Sequence, residues 1–256
     1  MKNFFVITAL LICTTIQLNA QTVLVSTDKV QKNFIKVNLT SIILKNYSIQ
    51  YERVLNKTIS VSLSFRDMPT TTLPFKNQIL KQMGSDNTDA QDIVENLTLG
   101  NYAITPELRF YLGKKGYGRG FYIATFYRYA SYNAENVVVN YDTDQTPPQQ
   151  RSIDLSGNIT AHTGGIMFGA QWSLGKHLCL DWWILGPHYG VSSGGMNGVP
   201  SQQLTTQEQS DIRQNLEDLN IPMVKQTVEV SANKVAMVFD GPWAGIRAGI
   251  SIGFKF

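Results

Sequence analysis

The sequence has little cysteine: Cys13 and Cys179 are the two among 256 residues. Cys13 lies in an apolar opening segment and follows Ile12, not a small residue, so it does not read as a lipoprotein anchor. Beyond that segment one cysteine is left, which allows no intramolecular disulfide. The three histidines, His162, His177 and His188, sit in no cluster with metal-ligand spacing, so no metal and no cofactor are expected. The net charge of +3 comes without a basic stripe and gives no support to nucleic-acid binding. After the opening segment no stretch holds 18 uninterrupted apolar residues, so no helical membrane span is expected. No repeat of solenoid length is present. The glycine-rich stretch 113–120 (GKKGYGRG) lacks the spacing of a nucleotide fingerprint and joins two strand patterns, not a strand and a helix.

What is present begins with MKNFFVITALLICTTIQLNAQ. Lys2, an apolar core from Phe4 to Ile16, and Ala20 before Gln21 follow the order of a cleaved secretory signal. The expected organisation is a signal peptide over 1–20, a periplasmic lead-in over 21–33, and one β-domain over 34–256.

The clearest pattern lies in the final stretch, WAGIRAGISIGFKF. Ile246, Ala248, Ile250, Ile252, Phe254 and Phe256 share one parity, and Arg247, Gly249, Ser251, Gly253 and Lys255 the other. Side chains alternate across a strand, so this strand has one apolar and one polar face. An outer-membrane barrel is built from such strands of about 9–11 residues. A half-buried strand of a soluble sandwich or lipocalin alternates identically.

Other segments repeat the pattern. Ile59, Val61, Leu63 and Phe65 oppose Ser60, Ser62, Ser64 and Arg66; Tyr47, Ile49 and Tyr51 oppose Ser48, Gln50 and Glu52. Strands are expected over 34–44, 47–52, 59–66, 102–112, 121–132, 153–174 and 178–184, with a bulge near Gly164–Gly165 where the apolar parity changes. Pro106 counts against the strand over 102–112, since proline within a strand usually marks an edge, though a bulge would absorb it. Residues 75–83, 89–97 and 205–220 carry helical signals, the last with a capping box of Thr205 and Glu208. Short turns follow strands two, four and six, and long connections follow three, five and seven. A soluble barrel has no reason to sort its loops in this way, whereas an outer-membrane barrel does. The expected fold is therefore all-β: an antiparallel up-and-down transmembrane barrel of about eight strands, with long, partly helical extracellular loops.

Three segments, KVNLTSIILKNYSIQYERVLNKTISVSLSFR, ITPELRFYLGKKGYGRGFYIATFYRY and GISIGFKF, resemble small outer-membrane barrels common in Bacteroidota, a family of unknown function in the OmpA/OmpW-type eight-stranded superfamily. The resemblance implies an outer-membrane location and no particular chemistry. Relatives can carry an OmpA-like peptidoglycan-binding domain, which is not expected after Phe256. The partners it implies are outer-membrane lipid and the barrel-assembly machinery, the latter through Ile250, Ile252, Phe254 and Phe256, with a surface partner at the extracellular loops as a further candidate.

The polar parities collect Glu52, Arg66, Glu107, Arg109, Arg128, Asp181 and Arg247. Projected inward they form a mixed-sign cluster, either a plug of ion pairs or the lining of a narrow pore or ligand site. The outward aromatics Tyr47, Tyr51, Phe65, Tyr102, Phe110, Tyr127, Tyr129, Trp172, Trp182 and Phe254 suit interfacial girdles. Trp182 and Trp183 must point opposite ways. A lipid-modifying enzyme would need a rim histidine–serine pair; His188 with Ser192 or Ser193 matches no defined motif. Three classes stay open: a non-enzymatic outer-membrane barrel, an outer-membrane enzyme acting on lipid or peptide, and a soluble lipocalin-like binder. The first accounts best for the loop order.

Overall fold

The computed structural model describes residues 30–83, 88–217 and 223–256. The expected signal peptide, its cleavage after Ala20, most of the lead-in, and residues 218–220 of the third helical segment lie outside the described residues. The chain divides after Val30, and everything below concerns the unit from Gln31 to Phe256.

Thirteen elements follow one another: β1 (Asn33–Asn38), α1 (Leu39–Ile43), β2 (Tyr47–Val54), β3 (Ile59–Thr72), α2 (Lys76–Gln82), α3 (Thr88–Asn96), β4 (Thr98–Tyr111), β5 (Gly120–Asp142), β6 (Gln150–Leu174), β7 (Leu178–Gly198), α4 (Thr206–Glu217), β8 (Lys225–Ser231) and β9 (Lys234–Lys255). Every pairing is antiparallel, each of β1 to β6 pairs with the next, β7 pairs with β9, and β9 closes on β1. The ring thus has eight strands, and β8 is a ninth that pairs with β9 alone. Closure leaves the ring without a free sheet edge where β1 meets β9, so backbone groups there bond to each other.

The connections 55–58, 112–119 and 175–177 fall at one end of the ring, and the helices and the connection 143–149 at the other. At the short-turn end Gly116, Gly118 and Gly175 take positive φ, and the Asn56 side chain accepts from the backbone of Thr58 and Ile59. At the opposite end β5, β6, β7 and β9 outgrow the other strands: β5 to β7 run 21 to 25 residues each and β9 runs 22, against six for β1 and eight for β2. Strand therefore occupies most of the segment 133–150 expected as a loop. Val137 to Asp142 continues the ladder with β6 after a register shift at Ala134–Val137 where Asn136 has φ 59°.

Two further expectations are corrected. Residues 39–43 are helical, because the Asn38 side chain caps the turn by accepting from Ser41 N at 2.9 Å and so ends β1 early. The bulge lies not at Gly164–Gly165 but on β7, where Ile184 and Leu185 are both exposed and the register shifts against both neighbours. On β6 the odd-numbered side chains face inward throughout; what changes along it is the chemistry of the inner face. Pro106 is on an internal strand, between β3 and β5, and the β4–β5 ladder skips positions 105 and 106 to accommodate it.

Beyond the ring, α4, β8 and the long ends of β5, β6 and β9 enclose a separate apolar core of Tyr141, Ile153, Leu155, Leu204, Ile212, Leu216, Val230, Val235 and Met237. The capping box forms as read: Glu208 N donates to Thr205 Oγ1 at 3.2 Å and Thr205 N to Glu208 Oε2 at 2.8 Å. Glu208 also accepts from Asp144 N at 3.4 Å, which ties the helix to the β5–β6 turn.

Candidate functional site

Polarity in the ring is inside out. Leu63 is 53% exposed, Ile49 50% and Phe254 50%, while Lys36 is 1% exposed and Glu52, Arg109 and Asp181 are fully buried. Alternation produces this directly: each strand sends its apolar parity outward and its serines, amides and charges into the lumen.

The lower lumen is filled by an ion-pair plug. Arg109 on β4 reaches Asp181 on β7 at 2.7 Å and Glu52 on β2 at 3.2 Å through Nη1. Its Nη2 reaches Glu107 at 2.8 Å and the Gln50 amide oxygen at 3.0 Å. Lys36 on β1 bonds Glu52, Asp181 at 2.7 Å and Gln171 at 2.5 Å. Arg247 on β9 donates to Glu107 at 2.9 Å. Tyr111, Tyr122 and Trp183 complete the layer, donating to Glu52 at 2.6 Å and to Asp181 at 2.8 Å and 3.3 Å. Arg109 also lies 4.6 Å from the Tyr122 ring centroid.

Three carboxylates meet three cations here, and nearly every polar atom has a partner. A plug of this kind is neutral, and its charges are paired and hydrogen-bonded, the condition under which buried charges persist. Lys36 is the member that sequence reasoning passed over. Its signal was the parity Phe34, Lys36, Asn38, obscured by reading β1 through to Leu44.

Above the plug the balance changes. Arg66 and Arg128, the remaining members of the expected cluster, have no carboxylate partner among the described residues; Arg66 donates to Asn101 at 3.1 Å, and both face Tyr132. Arg247 stands between the two levels, packed 4.5 Å from the Phe126 ring centroid and 4.9 Å from that of Trp183. The seven expected luminal residues are thus brought to one interior but divide into two layers, Glu52, Glu107, Arg109 and Asp181 below and Arg66 and Arg128 above, with Arg247 joining them.

The remaining candidates lie apart. His162 is outside the ring, with Nδ1 2.6 Å from Tyr127 Oη. His177 is at the β6–β7 turn, stacked at 5.5 Å on Phe254. His188 lies edge-on to Phe126, and Ser192 donates to the Gly241 carbonyl. Cys179 is buried with Phe34 and Val54 and packs as a small apolar residue. Trp182 faces out, stacked on Trp172, while Trp183 faces in. Ile250, Ile252, Phe254 and Phe256 are all outward and exposed. Among the described residues no group of three or more His, Cys, Asp or Glu side chains is arranged to hold a metal ion, and no helix is long and apolar enough to cross a membrane.

No curated protein and no solved structure matches the chain. One family model does, over residues 6–191, from the opening segment to the middle of β7, and it leaves α4, β8 and β9 beyond its end. With well over half of its residues matched, the chain belongs to the family described as protein of unknown function DUF3575.

Proposed function

We propose that the protein is a non-enzymatic outer-membrane β-barrel of the OmpA/OmpW type, exported by a cleaved signal peptide. In this reading it acts as a structural or surface-interacting element, not as an open pore. The observation that carries the reading is the inverted polarity of the ring. An exposed belt of Ile, Leu, Val and aromatic side chains surrounds a buried layer of Lys36, Glu52, Glu107, Arg109 and Asp181. Water offers no reason for that arrangement, and a hydrocarbon solvent does: apolar side chains face lipid while the strands of the closed ring pair with one another. A soluble lipocalin-like binder would turn the apolar parity inward to hold its ligand.

In the same reading the short-turn end is periplasmic and the capped end extracellular. The plug closes the lower lumen to solutes larger than water. The apolar core under α4 holds the extracellular extensions in one shape, which suits a surface partner. Ile250, Ile252, Phe254 and Phe256 then present the terminal strand to lipid and to the barrel-assembly machinery.

Fractionation of expressing cells, followed by gel electrophoresis of unheated and boiled samples, tests the proposal. The protein is expected in the outer-membrane fraction, resistant to urea washing, with a heat-dependent change in migration. Recovery in the soluble periplasmic fraction with no such change would contradict it.

A further inference from the structure

Directly above the plug is a cavity of about 210 Å³. Its lining includes Arg66, Arg128 and Arg247 with the hydroxyl and amide groups of Asn38, Ser48, Ser64 and Thr105, and no aspartate or glutamate. A cavity needs only about 10–15 Å³ of such space to admit one water, so a polyatomic ion fits with room to spare. The guanidinium groups are close enough for their charges to act on one another. Arg247 is 8% exposed and its Nη1 has no partner; Arg66 Nε, also buried, has none either. Three cations facing a shared polar space with N–H donors to spare is an arrangement that an oxyanion completes. A guanidinium fork matches phosphate oxygens in both charge and spacing.

The cavity also reaches the outside of the ring. β1 pairs with β9 only at Ser251–Lys255, and β8 pairs with it only at Lys234–Asp240. On that side the stretch 241–250 has no strand partner, because Asn38 ends β1 and α1 takes its place, joined to β9 by the bond from Ile250 N to Thr40 Oγ1 at 3.3 Å. A space confined to the lumen would touch Arg247 but not its outward neighbours. This one is lined by Ile246 and Ala248 as well, and by Leu44 of the α1–β2 turn. Ile246 is 70% exposed on the outer face. The break in the wall is therefore a side entrance framed by apolar residues, leading to arginines.

We propose that this chamber is a binding site for a phosphate-type oxyanion, entered from the side between α1 and β9. The phosphate belongs either to a membrane lipid whose chains stay against Leu44 and Ile246, or to a small free solute. Only the lipid source rests on the outer-membrane reading; the anion site does not.

The test uses the full mature chain in an uncharged detergent. Inorganic phosphate is expected to raise the unfolding temperature saturably and beyond the effect of chloride at equal ionic strength. Arg128→Gln and Arg66→Gln should each weaken phosphate binding about tenfold or more, the loss of one charge-assisted bond. Both variants should fold, since removing one of three facing cations relieves repulsion, and their unliganded unfolding temperature should be equal or higher. A second arm places the protein in nanodiscs of phosphatidylcholine with and without phosphatidic acid. Stabilisation by phosphatidic acid but not by free phosphate assigns the site to a lipid headgroup; stabilisation by free phosphate in both settings assigns it to a solute. No response in either arm, or an undiminished response in both glutamine variants, overturns the proposal.

Discussion

Tyr122 on β5 stands directly opposite Gly169 on β6, and a Cβ added to that glycine would come within 2.4 Å of both Cζ and Oη of the tyrosine. The glycine makes room for the ring, and the ring places its hydroxyl 2.8 Å from Asp181. One missing side chain on the wall therefore positions one corner of the plug. Gly169→Ala should lower unfolding stability in detergent by about 1–3 kcal/mol, the range for overpacking a filled interior. In a Tyr122→Ala background the same substitution should cost much less, since what remains is the Trp182 carbonyl at 2.9 Å. Additive effects of the two changes would show that the glycine and the tyrosine act independently.

The plug itself makes a stronger prediction. Arg109→Ala removes the cation shared by Glu52, Glu107 and Asp181, leaving Lys36 and Arg247 to face three carboxylates. Breaking a buried ion pair from one side costs about 3–5 kcal/mol. Arg109→Lys should recover part of this, because a lysine keeps the charge but cannot fork toward several acceptors. Denaturant unfolding and single-channel recording on the same variants check the claim. The alanine variant should be less stable and more conductive than the parent, and unchanged values for both would mean that the lumen is not sealed here.

Much of this was legible from alternation alone. The parity of β2, β3, β4 and β9 assigned Glu52, Arg66, Glu107, Arg109 and Arg247 to one face, and strands that alternate so regularly can close only with that face in or out. Lys36 was hidden because hydrophobic period and element length are read together. The pattern from Phe34 to Leu44 mixes a six-residue strand with a five-residue helix, and the Asn38 cap that separates them is a local signal of one hydrogen bond. The shift in apolar residues along β6 was real but was not a bulge. Ile153 and Leu155 face the same way as Met167 and Gln171, and are apolar because α4 covers them. The division of the arginines into a paired and an unpaired layer was not legible, since it depends on which strands stand across the ring from one another.

The cap should behave as a unit distinct from the ring. Ile212 and Leu216 are fully or nearly fully buried within the core that α4 covers. Ile212→Ala should cost the cap about 2–5 kcal/mol, and Thr205→Ala about 1 kcal/mol through the lost helix cap. Amide hydrogen exchange should accelerate across α4 and β8 while the amides of β2, β3 and β4 keep their protection. Equal acceleration in those ring strands would show that cap and ring unfold together.

The central claim is that the apolar face of the ring meets lipid. Leu63 is 53% and Ile250 39% exposed, both in mid-strand, while their neighbours Ser62 and Ser251 are buried at 5% and 1%. A fluorophore placed at each of the four positions in reconstituted vesicles reports the solvent directly. At Leu63 and Ile250 it should be quenched by groups carried in the lipid acyl chains and protected from aqueous iodide; at Ser62 and Ser251 the acyl-chain quencher should have no effect. If labels at Leu63 and Ile250 escape the acyl-chain quencher and are reached by iodide, the ring does not lie in a membrane.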